Sequence, residues 1–140
     1  MIDAQKKLVQ NSWLEVSADK DQFIATLYDN FFELSPRSRF LFKRDLKLHT
    51  RNIVAKIESV IKDLNALDRV MPELIPTGGR HKDYGVTHDE FELFHVALLN
   101  TLKQFIGEGY TEELEEAWSI MYRLISSTMC SAMRINFTPT

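Results

Sequence analysis

The sequence predicts an all-α fold, on three observations. Apolar residues recur at steps of three and four nearly throughout the chain, which puts them on one face of a helix with 3.6 residues per turn. No segment sustains the apolar–polar alternation of a strand. The breaks between periodic segments carry residues that start and stop helices: Ser35-Pro36, Thr87, Gly107, Gly109 and Thr111. A chain of 140 residues is long enough to bury a core and is expected to form one domain, residues 1–140.

Taken in order, Val9, Trp13 and Val16 make the first helix amphipathic. Phe23, Leu27, Phe31 and Leu34 continue the pattern over about residues 19–34. Ser35-Pro36 ends that helix and opens the next element, because Ser caps and Pro tolerates a first turn. The short aromatic segment RSRFLF follows and ends at Phe42. His49, Ile53, Ile57, Val60 and Leu64 then draw a single stripe, so a polar imidazole lies in line with four aliphatic residues. Pro72, Pro76, Gly78 and Gly79 make a long regular helix improbable beyond it. A short helix at about 68–75, a break and a last turn carrying His81 are expected there.

Thr87-His88-Asp89-Glu90 has the form of a capping box. It opens a helix with Phe91, Phe94, Leu98, Leu102 and Phe105 inward, which Gly107 and Gly109 end. Thr111 caps the last helix, and Glu112 and Glu113 suit the positive end of its dipole. Leu114, Trp118, Met121, Ile125 and Met129 form its buried stripe. The whole reads as six or seven helices of unequal length.

Composition bounds the function. A net charge of −3 and a pI near 5.8, with both signs interspersed, give no reason to expect nucleic-acid binding. The acidic run Glu112, Glu113, Glu115, Glu116 reads as a solvated helix start. Cys130 is the one cysteine, which leaves no intrachain disulfide and no thiolate zinc site, and fits a reducing cytoplasm. The start, MIDAQKKLVQNSW, lacks a signal-peptide core. No stretch approaches the roughly 18 apolar residues of a membrane span. A cytoplasmic protein without membrane or nucleic-acid partners is the expectation, as monomer or homodimer.

Tyr28, Phe42, His49 and His81 stand out in chain order. Singly, each has an ordinary reading: two core aromatics, a partly buried His on an apolar stripe, and an exposed His beside a glycine pair. Their arrangement is more specific. In order and spacing the chain resembles the globin family, particularly single-domain bacterial hemoglobins and the globin part of flavohemoglobins. FIATLYDNFFELSPRSRFLF resembles the second helix, its proline corner and the Phe on the heme face. HTRNIVAKIESVI resembles the distal helix, GGRHKDYGV the proximal His and the turn after it, and EELEEAWSIMYRLI the last helix. Neuroglobin-type chains carry a similar Gly-Arg-x-His run before a Gly-Val turn, where this chain has Gly79-Arg80-His81 and Gly85-Val86.

The resemblance implies a globin fold, a three-on-three helical sandwich packed at about 50° around one heme b. His81 is then the proximal iron ligand, its second ring nitrogen held by an acceptor. His49 takes the distal position, Ile53 the inward position one turn later, and Tyr28 that of the distal tyrosine. Phe42 lies against the porphyrin, and Val86, Phe91, Phe94 and Leu98 line the rest of the pocket. A phenol and an imidazole N–H in such a dry pocket stabilise the partial negative charge of dioxygen. Arg44 and Arg80 are candidates to pair with the propionates, with plain solvent exposure the equal alternative.

The chain departs from the family pattern at three places. Only six residues separate Phe42 from His49, so the corner is short. Pro76, Gly78 and Gly79 precede His81, so the proximal segment is irregular. Flavohemoglobin-type globins carry a Tyr and a Glu on the last helix; Tyr122 corresponds to the Tyr, but Met133 falls where the Glu stands. An unassisted proximal His gives a weaker electron push and argues against a peroxidase. His88 and His95 lack acidic or Cys partners at ligand spacing and are expected on the surface, and Met121, Met129 and Met133 in the core.

Reversible binding of oxygen and other diatomic gases (dioxygen, nitric oxide, carbon monoxide) is therefore the leading expectation, for oxygen transport or storage. Nitric oxide dioxygenase is the enzymatic alternative. No flavin or nicotinamide domain is legible in the sequence, so that activity requires a separate reductase. A third reading has both His49 and His81 on the iron, suited to redox work or gas sensing.

Overall fold

A computed structural model of the chain describes residues 1–41, 55–66 and 88–137, with side chains through 39 in the first stretch and 128 in the last. The described residues are helices and short turns, with no strand among them. Helix α1 spans Asp3–Val16, α2 Lys20–Leu34 and α3 Ser38–Leu41. Helix α4 is described over 55–62, α5 spans His88–Ile106 and α6 Glu112–Phe137.

The boundaries follow local chemistry. The Gln5 side chain accepts from the backbone N–H of Ile2 at 3.1 Å, closing the start of α1. Asp19 caps α2 by accepting from the Gln22 N–H at 3.4 Å. Ser35-Pro36 ends α2 as expected, and α3 is one turn long. Helix α5 stops at a 3-10 turn, Gly107–Gly109. Gly107 there has φ +68, a left-handed conformation that a Cβ disfavours. Thr111 accepts from the Leu114 N–H at 3.2 Å and caps α6. The expected short helix at 68–75 and the turn carrying His81 lie outside the described residues.

Helix α5 is the centre of the packing. It lies against α2 on one side and α6 on another, while α1 packs on both α5 and α6. The core joins Val9, Trp13 and Val16 of α1 to Phe23, Ile24 and Leu27 of α2, and these to Leu98 and Leu102 of α5. Leu114, Ala117, Trp118 and Met121 of α6 complete it, and Val60, Ile61 and Leu64 bring α4 onto it. Burying a side chain of this size is worth about 1.5–3 kcal/mol, so these contacts dominate the helix–helix geometry.

Polar groups inside are answered. Trp118 Nε1 donates to Ser12 Oγ at 2.8 Å, and that hydroxyl donates back to the Leu8 carbonyl at 2.7 Å. Asn30 donates to Thr101 Oγ1 at 2.9 Å, tying α2 to α5. Gln10 reaches from α1 to the Ile61 carbonyl at 3.1 Å, near the C-terminus of α4 where helical carbonyls lose their partners. Among the described residues no buried side-chain nitrogen or oxygen lacks a partner, and no helix is long and apolar enough to cross a membrane.

Candidate functional site

Four of the residues expected to line a pocket are described: Tyr28 on α2, and Phe91, Phe94 and Leu98 on α5. The fold brings Tyr28 and Phe94 together, with ring centroids 6.0 Å apart in an edge-on arrangement. Phe31 meets the same Phe94 ring at 5.1 Å and 77°, and Phe32 lies 5.7 Å from Tyr28. These geometries are those aromatic quadrupoles favour. The Tyr28 side chain is 3% exposed. Burial pushes its phenol well above the usual tyrosine range, so the hydroxyl keeps its proton and stays a donor.

The apolar faces open toward one end. On α5, Leu102 and Leu98 are buried, whereas Phe94 is only half-buried although it lies on the inward stripe. Along the stripe of α4 and the turn after it, Leu64 and Val60 are buried while Ile57, one turn earlier, is half-buried. The described core is thus closed at Leu64 and Leu102 and presents apolar surface at Ile57 and Phe94. Such a wall fits a flat, largely apolar macrocycle. A porphyrin brings four nitrogens to its own metal and asks the protein for one or two imidazoles. Among the described residues no group of three or more His, Cys, Asp or Glu side chains is placed to hold a bare metal ion. Phe42, Arg44, His49, Ile53, Arg80, His81 and Val86 lie outside the described residues, as do the side chains of Met129, Cys130 and Met133.

Tyr122 has a definite place. Its hydroxyl donates to the Phe91 carbonyl at 2.5 Å. Its ring is nearly parallel to that of Phe94, with centroids 6.2 Å apart at 20°, and to that of His95, at 4.8 Å and 14°. The last helix therefore braces two of the expected pocket residues through one tyrosine.

His88 is exposed as expected, 3.8 Å from Glu92. His95 corrects the sequence reading: it is 8% exposed, not a surface residue. Its Nε2 lies 3.0 Å from Ser119 Oγ across the α5–α6 contact. Burial lowers its pKa, Arg123 lowers it further, and Glu92 and Glu115 oppose the shift. The ring is therefore neutral near pH 7. The reason for the correction is that His95 was judged by residue type rather than by phase. It lies on the inward stripe, where its ring meets Ser119 and Tyr122 of α6. The spacing Phe91, His95, Leu98, Leu102 follows i, i+4, i+7 and i+11, a phase signal that was available.

A polar cluster escaped the sequence reading altogether. Glu90, at the start of α5, is 4% exposed. Its Oε2 accepts from Ser38 Oγ of α3 at 3.0 Å, and its Oε1 lies 3.2 Å from the Arg37 guanidinium. Ser35 and Ser38 share a hydroxyl–hydroxyl bond at 2.7 Å. Glu90 was expected as the far end of a capping box with Thr87, which lies outside the described residues.

Comparison with known proteins agrees with this architecture. The family model for globins matches residues 25–129, three quarters of the chain. The chain belongs to the globin family. It is 24% identical to neuroglobin-1 of Oncorhynchus mykiss, over 92% of this chain and 90% of that protein. It is 28% identical to the anaerobic nitrite reductase AHB2 of Arabidopsis thaliana, over 94% and 93%. In structure it resembles a hexacoordinated heme protein from an anhydrobiotic tardigrade, with TM-score 0.83, 18% identity and 96% of each chain covered. The fold is thus the all-α globin fold, which implies heme binding. These sequence relatives are a vertebrate and a plant protein, and the bacterial side of the expected resemblance finds no support among them.

Proposed function

We propose that residues 1–140 form one globin domain that holds heme b, with His81 as proximal ligand and Tyr28 and His49 on the distal side, and reversibly binds dioxygen, nitric oxide or carbon monoxide in the cytoplasm. The observation that carries this reading is the buried, protonated Tyr28 phenol packed edge-on against the half-buried Phe94. A bound heme supplies an iron that coordinates a diatomic gas. The chain supplies the rest. Tyr28 donates a hydrogen bond to a gas ligand's polar end, with the His49 imidazole as second donor. Phe42, Ile53, Val86, Phe91, Phe94 and Leu98 keep water away, which protects ferrous iron from oxidation. A net hydrogen bond is worth about 0.5–1.5 kcal/mol, more where charge develops, so the two donors together slow oxygen loss by roughly one to two powers of ten.

The test is the absorption spectrum of the chain mixed with hemin and reduced under argon. A Soret band with one broad visible band is expected, and oxygen leaves a Tyr28→Phe variant faster. The absence of a Soret band rejects the reading. A second reading places both His49 and His81 on the iron, suited to electron transfer or redox sensing. The likeness to neuroglobin-1 and to a protein described as a hexacoordinated heme protein favours it. Two sharp visible bands in the same reduced sample, lost in His49→Leu, identify that state.

A further inference from the structure

We propose that Glu90 is a positioning residue of the pocket rim: clasped by Ser38 and Arg37, it fixes the corner after α2 against the start of α5. The proposal rests on the heme reading above and concerns residues to which that reading gives no role.

A carboxylate at 4% exposure is expensive unless its oxygens are answered. Here one oxygen accepts from the fully buried Ser38 hydroxyl at 3.0 Å and the other faces Arg37 at 3.2 Å. Ser35 secures the Ser38 hydroxyl from the other side at 2.7 Å, and the Ser38 N–H donates to the Ser35 carbonyl at 3.0 Å. The Arg37 side chain is 63% exposed, so solvent screens its attraction. The directional element is the buried Ser38–Glu90 bond, which joins residues 52 apart in sequence.

An apolar pair would hold α3 on α5 at less cost. What a hydrogen-bonded carboxylate adds is a defined rotation and register, because its bonds fail when either partner turns. The sequence says which segments start from the clasp. Phe42 follows Ser38 by four residues, and Val86 precedes Glu90 by four, with His81 nine residues before it. The clasp therefore ties together the roots of the two segments that carry these expected heme contacts. It lies beyond the Tyr28–Phe94 contact, at the end of α5 where apolar surface is still open.

The test compares wild type with Glu90→Met, Ser38→Ala and Arg37→Gln, each loaded with hemin. Three quantities are read: the rate of hemin loss to excess apomyoglobin, the iron–histidine stretching band of the ferrous form, and the thermal midpoint. Glu90→Met and Ser38→Ala, which each remove the buried hydrogen bond, are expected to lose hemin roughly tenfold faster, the scale of one charge-assisted hydrogen bond, with a shifted or broadened iron–histidine band. Arg37→Gln is expected to change both far less. If hemin loss and the band match wild type in Glu90→Met, the cluster is packing alone and the proposal is overturned, whatever the thermal midpoint does. Should Glu90→Met fail to fold, Ser38→Ala, which leaves the carboxylate its Arg37 partner, decides by the same readouts. A wild-type chain that takes up no hemin rejects the heme reading and this proposal with it; a wild type that binds, with variants indistinguishable from it, rejects only the proposal.

Discussion

From Leu98 to Ile106, α5 is held mainly by apolar packing. Leu102 is fully buried, and Phe105 meets Phe23 edge-on at 5.2 Å, with Trp13 a further 5.9 Å from Phe23. From His88 to Ala97 the same helix is held differently. Glu90 is clasped by Ser38, the Phe91 carbonyl by Tyr122, and His95 by Ser119, while Phe94 stays half-buried. One half is fastened mainly by dispersion and burial, the other largely by directional bonds around a half-buried aromatic. Close packing suits a region with no other task. On the proposed reading, the wall that receives a flat ligand is not filled by its own side chains, and hydrogen bonds hold its shape instead.

This contrast can be broken most forcefully at the closed end. Leu102→Ala is expected to cost about 2–5 kcal/mol in the heme-free chain, read from denaturant midpoints at unchanged slope. Phe94→Ala should cost less in the heme-free chain, because its ring is already half in water, yet should accelerate hemin loss. Equal stability losses with no effect on hemin would erase the distinction between the halves. Next in size is Thr101→Val, which removes the polar tie from α2 to the Leu98–Ile106 half. It keeps the volume but strips Asn30 of its acceptor, for a loss of about 1–3 kcal/mol; a neutral result would mean that water or another group replaces it.

The polar half should also respond to pH. The lowered pKa of His95 means that the unfolded chain binds its proton more readily than the folded one. Stability from this residue is complete above the ordinary histidine value of about 6.5. It is lost as pH falls through that value toward the lowered folded-state pKa. Thermal midpoints measured downward from pH 7 should fall, and His95→Gln should flatten that slope; an identical slope in the variant would assign the loss to other groups. The smallest effect belongs to the surface. Lys20 and Glu58 lie 2.8 Å apart but are both exposed, so Lys20→Met should leave the thermal midpoint within error, and a clear drop would mark the pair as a real anchor of α4.

Helix limits were legible because their causes are local. Ser35-Pro36, Gly107 and Thr111 act within one turn of themselves, and the structure ends or starts helices at each. The inward residues Phe91, Leu98 and Leu102 were legible from periodicity for the same reason. His95 was misread because it was judged by residue type, although its spacing from Phe91, Leu98 and Leu102 puts it on the buried stripe. Glu90 was read only for what it could do to its own helix end. Its buried partner Ser38 sits 52 residues away, beyond any local pattern. Tyr122 was picked out by resemblance, but its bond to the Phe91 carbonyl depends on how α6 crosses α5.

The sequence by itself determined that this chain is helical, where α2 begins and ends, where α5 ends and α6 begins, and which apolar faces seek a core. These follow from interactions within a few residues of each other, and the globin resemblance rests on the same spacings. Tertiary structure alone decided that Tyr28 meets Phe94, that Ser119 answers the His95 ring, and that Ser38 holds Glu90. Each of those depends on the angle and register at which two helices distant in sequence pack, which is the outcome of the whole core closing at once.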